Sequence, residues 1–260
     1  MMLLAWIIAF CLVGGALTVL MASALFLVPD SVRARAEPHL VSFATGVLLG
    51  AAFLGLLPHA LEAPGASGAH GVMTVVLIGV LVFFLLEKLL LWRHCHADHC
   101  EIHAAGHSQR PAAPSGSLIL IGDGVHSFVD GILIGAAFLS DVHLGIITAL
   151  AIASHEVPQQ VSNIVVLLQS GYTRVQAVSF SLLTSGSTVL GGIVAFISLD
   201  ASTRYMPYVL AIAAASFIYI AVADLIPGLH KRVQPRAMLD QMVLISAGAT
   251  LIYFSHSALH

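Results

Sequence analysis

Charge is what this sequence lacks most. Only 9% of its 260 residues are Asp, Glu, Lys or Arg, against about 25% in an ordinary soluble domain. With 58% hydrophobic residues, a water-exposed domain of this composition has too little polar surface to cover itself. The few basic residues form no tail or stripe, which argues against nucleic acid as a partner. Cysteine is scarce too. Cys11 lies in an apolar run and Cys95 and Cys100 among histidines, so no disulfide framework is implied. The first apolar run has no basic residues before it and is long for a leader, so it is expected to stay in the chain as a membrane span.

What the sequence has instead is a series of long apolar runs, at roughly 3–27, 38–61, 71–92, 117–139, 143–169, 173–199, 206–229 and 236–257. Each reaches the ~20 residues that cross a bilayer core as a helix, and runs this long exclude strands. The expected fold is an all-α integral membrane protein of eight transmembrane helices in a single transmembrane domain, 1–260. The connections after the first, third, fifth and seventh runs hold Arg33, Arg35, Lys88, Arg93, Arg110, Arg174, Lys231, Arg232 and Arg236; the other side holds only Arg204. The basic side is expected to be cytoplasmic, which puts both termini outside. Residues 93–116 are more polar and contain Pro111 and Pro114, so they are expected to form a flexible cytoplasmic loop between the third and fourth helices.

Polar residues inside the runs carry the chemistry, because ionisable groups in lipid are rare and face a polar interior. In the fourth run, GDGVHSFVDG sets Asp123, His126 and Asp130 at i, i+3, i+7, on one helix face, with Ser127 at its border. In the fifth, HEVPQQ sets His155 and Gln159 at i, i+4, Asn163 a turn further, and Glu156 and Gln160 on the adjoining stripe. Imidazole nitrogen and carboxylate oxygen are what a borderline-soft cation such as Zn²⁺ takes. His126, Asp130, His155 and Glu156 are the expected metal ligands, with Gln159 a weaker neutral oxygen. Pro158 removes one backbone hydrogen bond and is expected to open the helix beside them. A bland reading, in which these groups only bond helix to helix, suits one such residue better than five on consecutive helices.

Two further motifs flank this centre. The second run ends LLPHALE, with His59 and Glu62; the seventh ends DLIPGLH, with Asp224 and His230. Both read either as Pro-marked helix ends or as vestibules passing a cation to the midplane, and their shared L-[LI]-P core on antiparallel segments hints at an inverted repeat. The polar loop reads HCHADHCEIHAAGH, with His94, Cys95, His96, His99, Cys100, His103 and His107. Its spacing fits no single zinc-finger pattern, so adaptable metal binding by the reduced thiols and imidazoles is expected.

Together HSFVDG, HEVPQQVSNIVVLLQSGYT, LLPHALE and YIAVADLIPG make the sequence resemble the ZIP (Zrt/Irt-like) family of divalent metal transporters over nearly its whole length. The resemblance implies a metal path along the second, fourth, fifth and seventh helices and a transport site at His126, Ser127, Asp130, His155, Glu156 and Gln159. It also implies Zn²⁺ as cargo, with Fe²⁺, Mn²⁺ and Cd²⁺ as further candidates, no resident cofactor, and a multi-pass location expected to be a bacterial inner membrane; a homodimer is left open. Four positions depart from the family pattern. Ser127 replaces Asn, Gln160 stands where the signature has Glu, Asn163 where the nearest branch has Asp, and Gln159 takes a position that is His, Glu or Gln in relatives. The sixth helix offers no carboxylate. Two divalent ions would need more anions than Asp130 and Glu156 supply, so one well-formed metal site is expected. Two competing readings are a metal sensor without transport and an intramembrane zinc hydrolase. The second fails at Gln159, which breaks the paired histidines of HExxH.

Overall fold

In the computed structural model the described residues are 2–66, 68–95, 116–199, 205–231 and 234–257. Among them there are helices and turns but no strand. Eight helical rods follow in chain order: α1 (Met2–Ala24), α2 (Asp30–Glu62), α3 (Gly68–Cys95), α4 (Gly116–Ser140), α5 (Val142–Gln169), α6 (Arg174–Leu199), α7 (Met206–Leu229) and α8 (Pro235–Ser257). Seven of them are long and apolar enough to cross a membrane. The exception is α5. At 28 residues it is about 42 Å long, but His155, Glu156, Gln159, Gln160 and Asn163 dilute its hydropathy. It can be this polar because it is the central rod, touching α1, α2 and α4 and burying residues along its length, from Leu144 to Leu167.

The eight apolar runs all become helices, and two differ instructively from expectation. α2 begins at Asp30, well before the apolar run, with Asp30 and Arg33 paired at 2.8 Å across its first turn. α6 is broken at Gly186 into Arg174–Ser185 and Ser187–Leu199. Ser187 Oγ sits there 2.6 Å from the Thr184 carbonyl and 2.7 Å from the Gly124 carbonyl of α4. Pro158, by contrast, does not open α5, which runs α-helical through it.

The LLP and LIP motifs have a common structural cause. In α2 a π-helical turn, Ala51–Leu56, precedes Leu57–Pro58; in α7 another, Ile220–Leu225, precedes Ile226–Pro227. A proline ring clashes with the carbonyl four residues back, here Leu54 and Ala223, and a widened turn at that carbonyl relieves the clash. The correspondence extends to packing, since α2 lies against α8 and α7 against α3.

Small residues set the closest approaches. Gly131 and Gly135 form a G-x-x-x-G face on α4, and a Cβ at either would collide with α6 at the Thr188 carbonyl or at Gly192 and Ala195. Gly46 and Gly50 do the same on α2 against Ile245, Ala249 and Ile252 of α8. Such faces let backbones meet where lipid gives helices no hydrophobic reason to associate. In the most apolar windows of α3 and α8 only 11% of residues are buried, against 67% in α2 and 56% in α7. α3 and α8 therefore form the rim, and α2, α5 and α7 lie further inside.

Candidate metal centre

α4 and α5 are antiparallel neighbours joined through a single residue, Asp141, whose carboxylate accepts from Leu144 N at 2.9 Å and caps α5. This short hinge fixes the register of their polar faces. His126 and Asp130, one turn apart on α4, meet His155 of α5. Asp130 Oδ2 lies 3.6 Å from His126 Nε2 and 3.7 Å from His155 Nε2, and the two imidazoles stand edge to face with centroids 5.7 Å apart. One ligand atom from each of the three lies within 4.8 Å of the other two.

The bonding of this trio is incomplete. His126 Nε2, His155 Nε2 and both Asp130 oxygens are buried and have no hydrogen-bond partner. Buried polar groups in folded proteins are otherwise nearly always paired. His155 Nδ1 lies 3.2 Å from the Ala151 carbonyl. Donation from that nitrogen leaves the Nε2 lone pair facing Asp130, the tautomer a metal ligand needs. The Asp130 and His155 side chains are each 1% exposed, whereas His126 is 27% exposed. His126 is thus the partly exposed member of the trio, although its Nε2 is buried like the other ligand atoms.

Glu156 is buried on the same turn of α5 but outside the trio, with Oε2 accepting from Gln160 Nε2 at 3.2 Å. Asp123 also lies apart. Its Oδ1 accepts from Gln160 Nε2 at 2.9 Å and Asn163 Nδ2 at 2.7 Å, and its Oδ2 accepts from Thr184 Oγ1 of α6 at 2.5 Å. Gln159 is half-buried one turn from His155, and Ser127 is buried with its hydroxyl unpaired.

The flanking residues stand elsewhere. His59 is half-buried near the end of α2, its Nδ1 3.0 Å from the Gly55 carbonyl, and Glu62 is exposed. Asp224 lies exposed on the α7 π turn, and His230 is exposed just past α7. The α7 Tyr219 hydroxyl donates to Glu87 of α3. Sequence reasoning missed Thr184 and Glu87. The hydroxyl-rich TSGST stretch was the available signal for the first; nothing in one sequence pairs Glu87 with Tyr219. His94 and Cys95 end α3 but their side chains lie outside the described residues, as do His96, His99, Cys100, His103 and His107 altogether.

Rods long and apolar enough to cross a membrane make this an integral membrane protein of helical class, and its His–Asp–His trio brings three potential metal-ligand atoms together. The comparisons specify the class further. A family profile described as ZIP Zinc transporter matches residues 93–256. The chain is 32% identical to Zinc transporter ZIP13 of Pongo abelii, over 84% of this chain and 66% of that protein. It is 29% identical to Zinc transporter SLC39A7 of Rattus norvegicus, over 92% of this chain and 71% of the relative. The chain belongs to the ZIP zinc transporter family. It spans just under two thirds of the length of the first of these relatives. The hydrolase reading falls with this membership, since the family's members are transporters, not enzymes.

Proposed function

We propose that this protein is a transporter carrying a divalent transition-metal ion, foremost Zn²⁺, toward the cytoplasm through the site between α4 and α5. The observation that carries the reading is the trio itself: two imidazole nitrogens and a carboxylate, buried, mutually within ligand range and unpaired. In a bilayer interior such groups are costly unless they face a cation. The named relatives are zinc transporters, which supports Zn²⁺ over harder ions. Fe²⁺, Mn²⁺ and Cd²⁺ share the chemistry as further cargo. An arriving ion exchanges its water for His126, Asp130 and His155. Glu156 supplies the second negative charge, so that a divalent ion with Asp130 and Glu156 carries no net charge in low dielectric. Gln159 is the candidate for a further neutral oxygen.

The remaining reading builds on this centre. All eight rods cross the membrane, α5 included, with both termini outside and the basic connections on the cytoplasmic side. His59 and Glu62 lie on the entry side, Asp224 and His230 on the exit side toward the His/Cys-rich loop. Release to the other side follows a shift of one helix group against another. A plasma membrane, in a bacterium the inner one, is the location that fits. The test is uptake of radiolabelled zinc into oriented proteoliposomes, with manganese, iron and cadmium as competitors. Asp130→Ala is expected to abolish uptake; wild-type flux in that variant would refute the assignment.

A further inference from the structure

Next to the trio, two more buried carboxylates approach each other, and the group between them is a neutral amide. Asp123 and Glu156 come from α4 and α5, and each accepts from the same nitrogen, Gln160 Nε2, at 2.9 and 3.2 Å. A primary amide carries two N–H groups, so Gln160 can serve both carboxylates at once, as a bridging cation would. Asn163 and Thr184 complete the coordination of Asp123 with two more donors. All three groups around Asp123 are neutral.

The arrangement leaves oxygen atoms stranded. Gln160 is 0% exposed and its Oε1 has no partner; Ser127 is 0% exposed and its Oγ has none either. Ser127 lies between Asp123 and Asp130 on the same α4 face, at i+4 from the first. Two buried carboxylates thus share one amide donor across the α4–α5 junction, and a buried oxygen on each of the two helices is left without a partner.

We propose that the Gln160 amide occupies the place of a second cation between Asp123 and Glu156, and that Gln160 is the residue restricting this chain to one metal ion between α4 and α5. The proposal rests on the reading of His126, Asp130 and His155 as the cargo site. A second divalent ion would have to displace hydrogen bonds to both carboxylates, and with Glu156 already supplying charge to the first ion only Asp123 would face it unshared. Replacing the amide with a carboxylate removes the bridging donor and adds the missing anion in one step.

The test is metal stoichiometry on the purified full-length protein, by equilibrium dialysis against Zn²⁺ with elemental analysis and by anomalous maps of Cd²⁺-soaked crystals. Differences between variants cancel any metal held by the His/Cys loop. Gln160→Glu is expected to gain one equivalent over wild type and a second Cd²⁺ peak near Asp123, and to lose both gains when combined with Asp123→Asn. Asn163→Asp, which adds an acid against the same Asp123 oxygen, is the substitute if Gln160→Glu does not elute as a folded protein. A second Cd²⁺ peak between Asp123 and Glu156 in the wild type would overturn the proposal, as would folded acidic variants that gain nothing. A purely structural tie among α4, α5 and α6 would not change the count. His155→Ala separates the two levels: it should lose one equivalent, and if it keeps the wild-type count the cargo assignment fails, whatever Gln160→Glu shows.

Discussion

At the scale of single residues, the centre sorts its polar groups by what each is bonded to. The trio is left bare, and Asp123 is saturated. Thr184→Val removes the hydroxyl donor from a buried carboxylate, and a bond to a charged group is worth about 1.5–3 kcal/mol. The variant should melt earlier in detergent while still binding zinc through the trio, as thermal-shift and dialysis measurements will show. Two imidazoles and two carboxylates must be free of protons to hold the ion, so apparent zinc affinity should fall as pH is lowered; transport assays at matched zinc and stepped pH check this. His126, Asp130 and His155 were legible in the sequence because i, i+4 spacing on two consecutive helices admits few other arrangements. The different fates of Asp123 and Asp130, seven residues apart on one face, were not. That distinction depends on α6, whose Thr184 reaches Asp123 from 61 residues away, and no local pattern encodes such a contact.

At the scale of helices, glycine placement decides which rods can touch. Gly131→Leu drives a side chain into the α6 backbone at Thr188, and overpacking of this kind costs about 1–3 kcal/mol or more. A Cβ at Gly122 of the same helix meets nothing within 4 Å, so Gly122→Leu should be tolerated. Comparing the folded yield and melting temperature of the two variants in detergent tests whether the G-x-x-x-G face holds α4 to α6; equal behaviour would rule it out. The runs themselves were easy to read, since apolar length is a one-dimensional signal. The π turns before Pro58 and Pro227 were visible only as a repeated Leu-Pro or Ile-Pro motif, because the widening depends on where the carbonyl four residues back must go. The break at Gly186 gave even less signal: an isolated glycine in an apolar run is tolerated in many membrane helices, and this one separates two segments because Ser187 is anchored to α4.

At the scale of the whole molecule, deleting residues 94–107 should leave basal zinc flux in proteoliposomes intact, since the trio lies in α4 and α5. Loss of flux on that deletion would favour a sensing role for the loop. The polarity of α5 has a further consequence, for how the protein is made. Released alone from a translocon, a segment carrying His155, Glu156 and two glutamines would partition poorly into lipid. Its link to α4 is a single residue, and the faces that need covering are those the two rods share. If α5 spans as proposed, the pair enters the bilayer together as a hairpin, its polar seam closed before lipid reaches it. Substitutions that strengthen that seam are therefore expected to raise the amount of protein reaching the membrane, separately from any effect on how fast the finished transporter works.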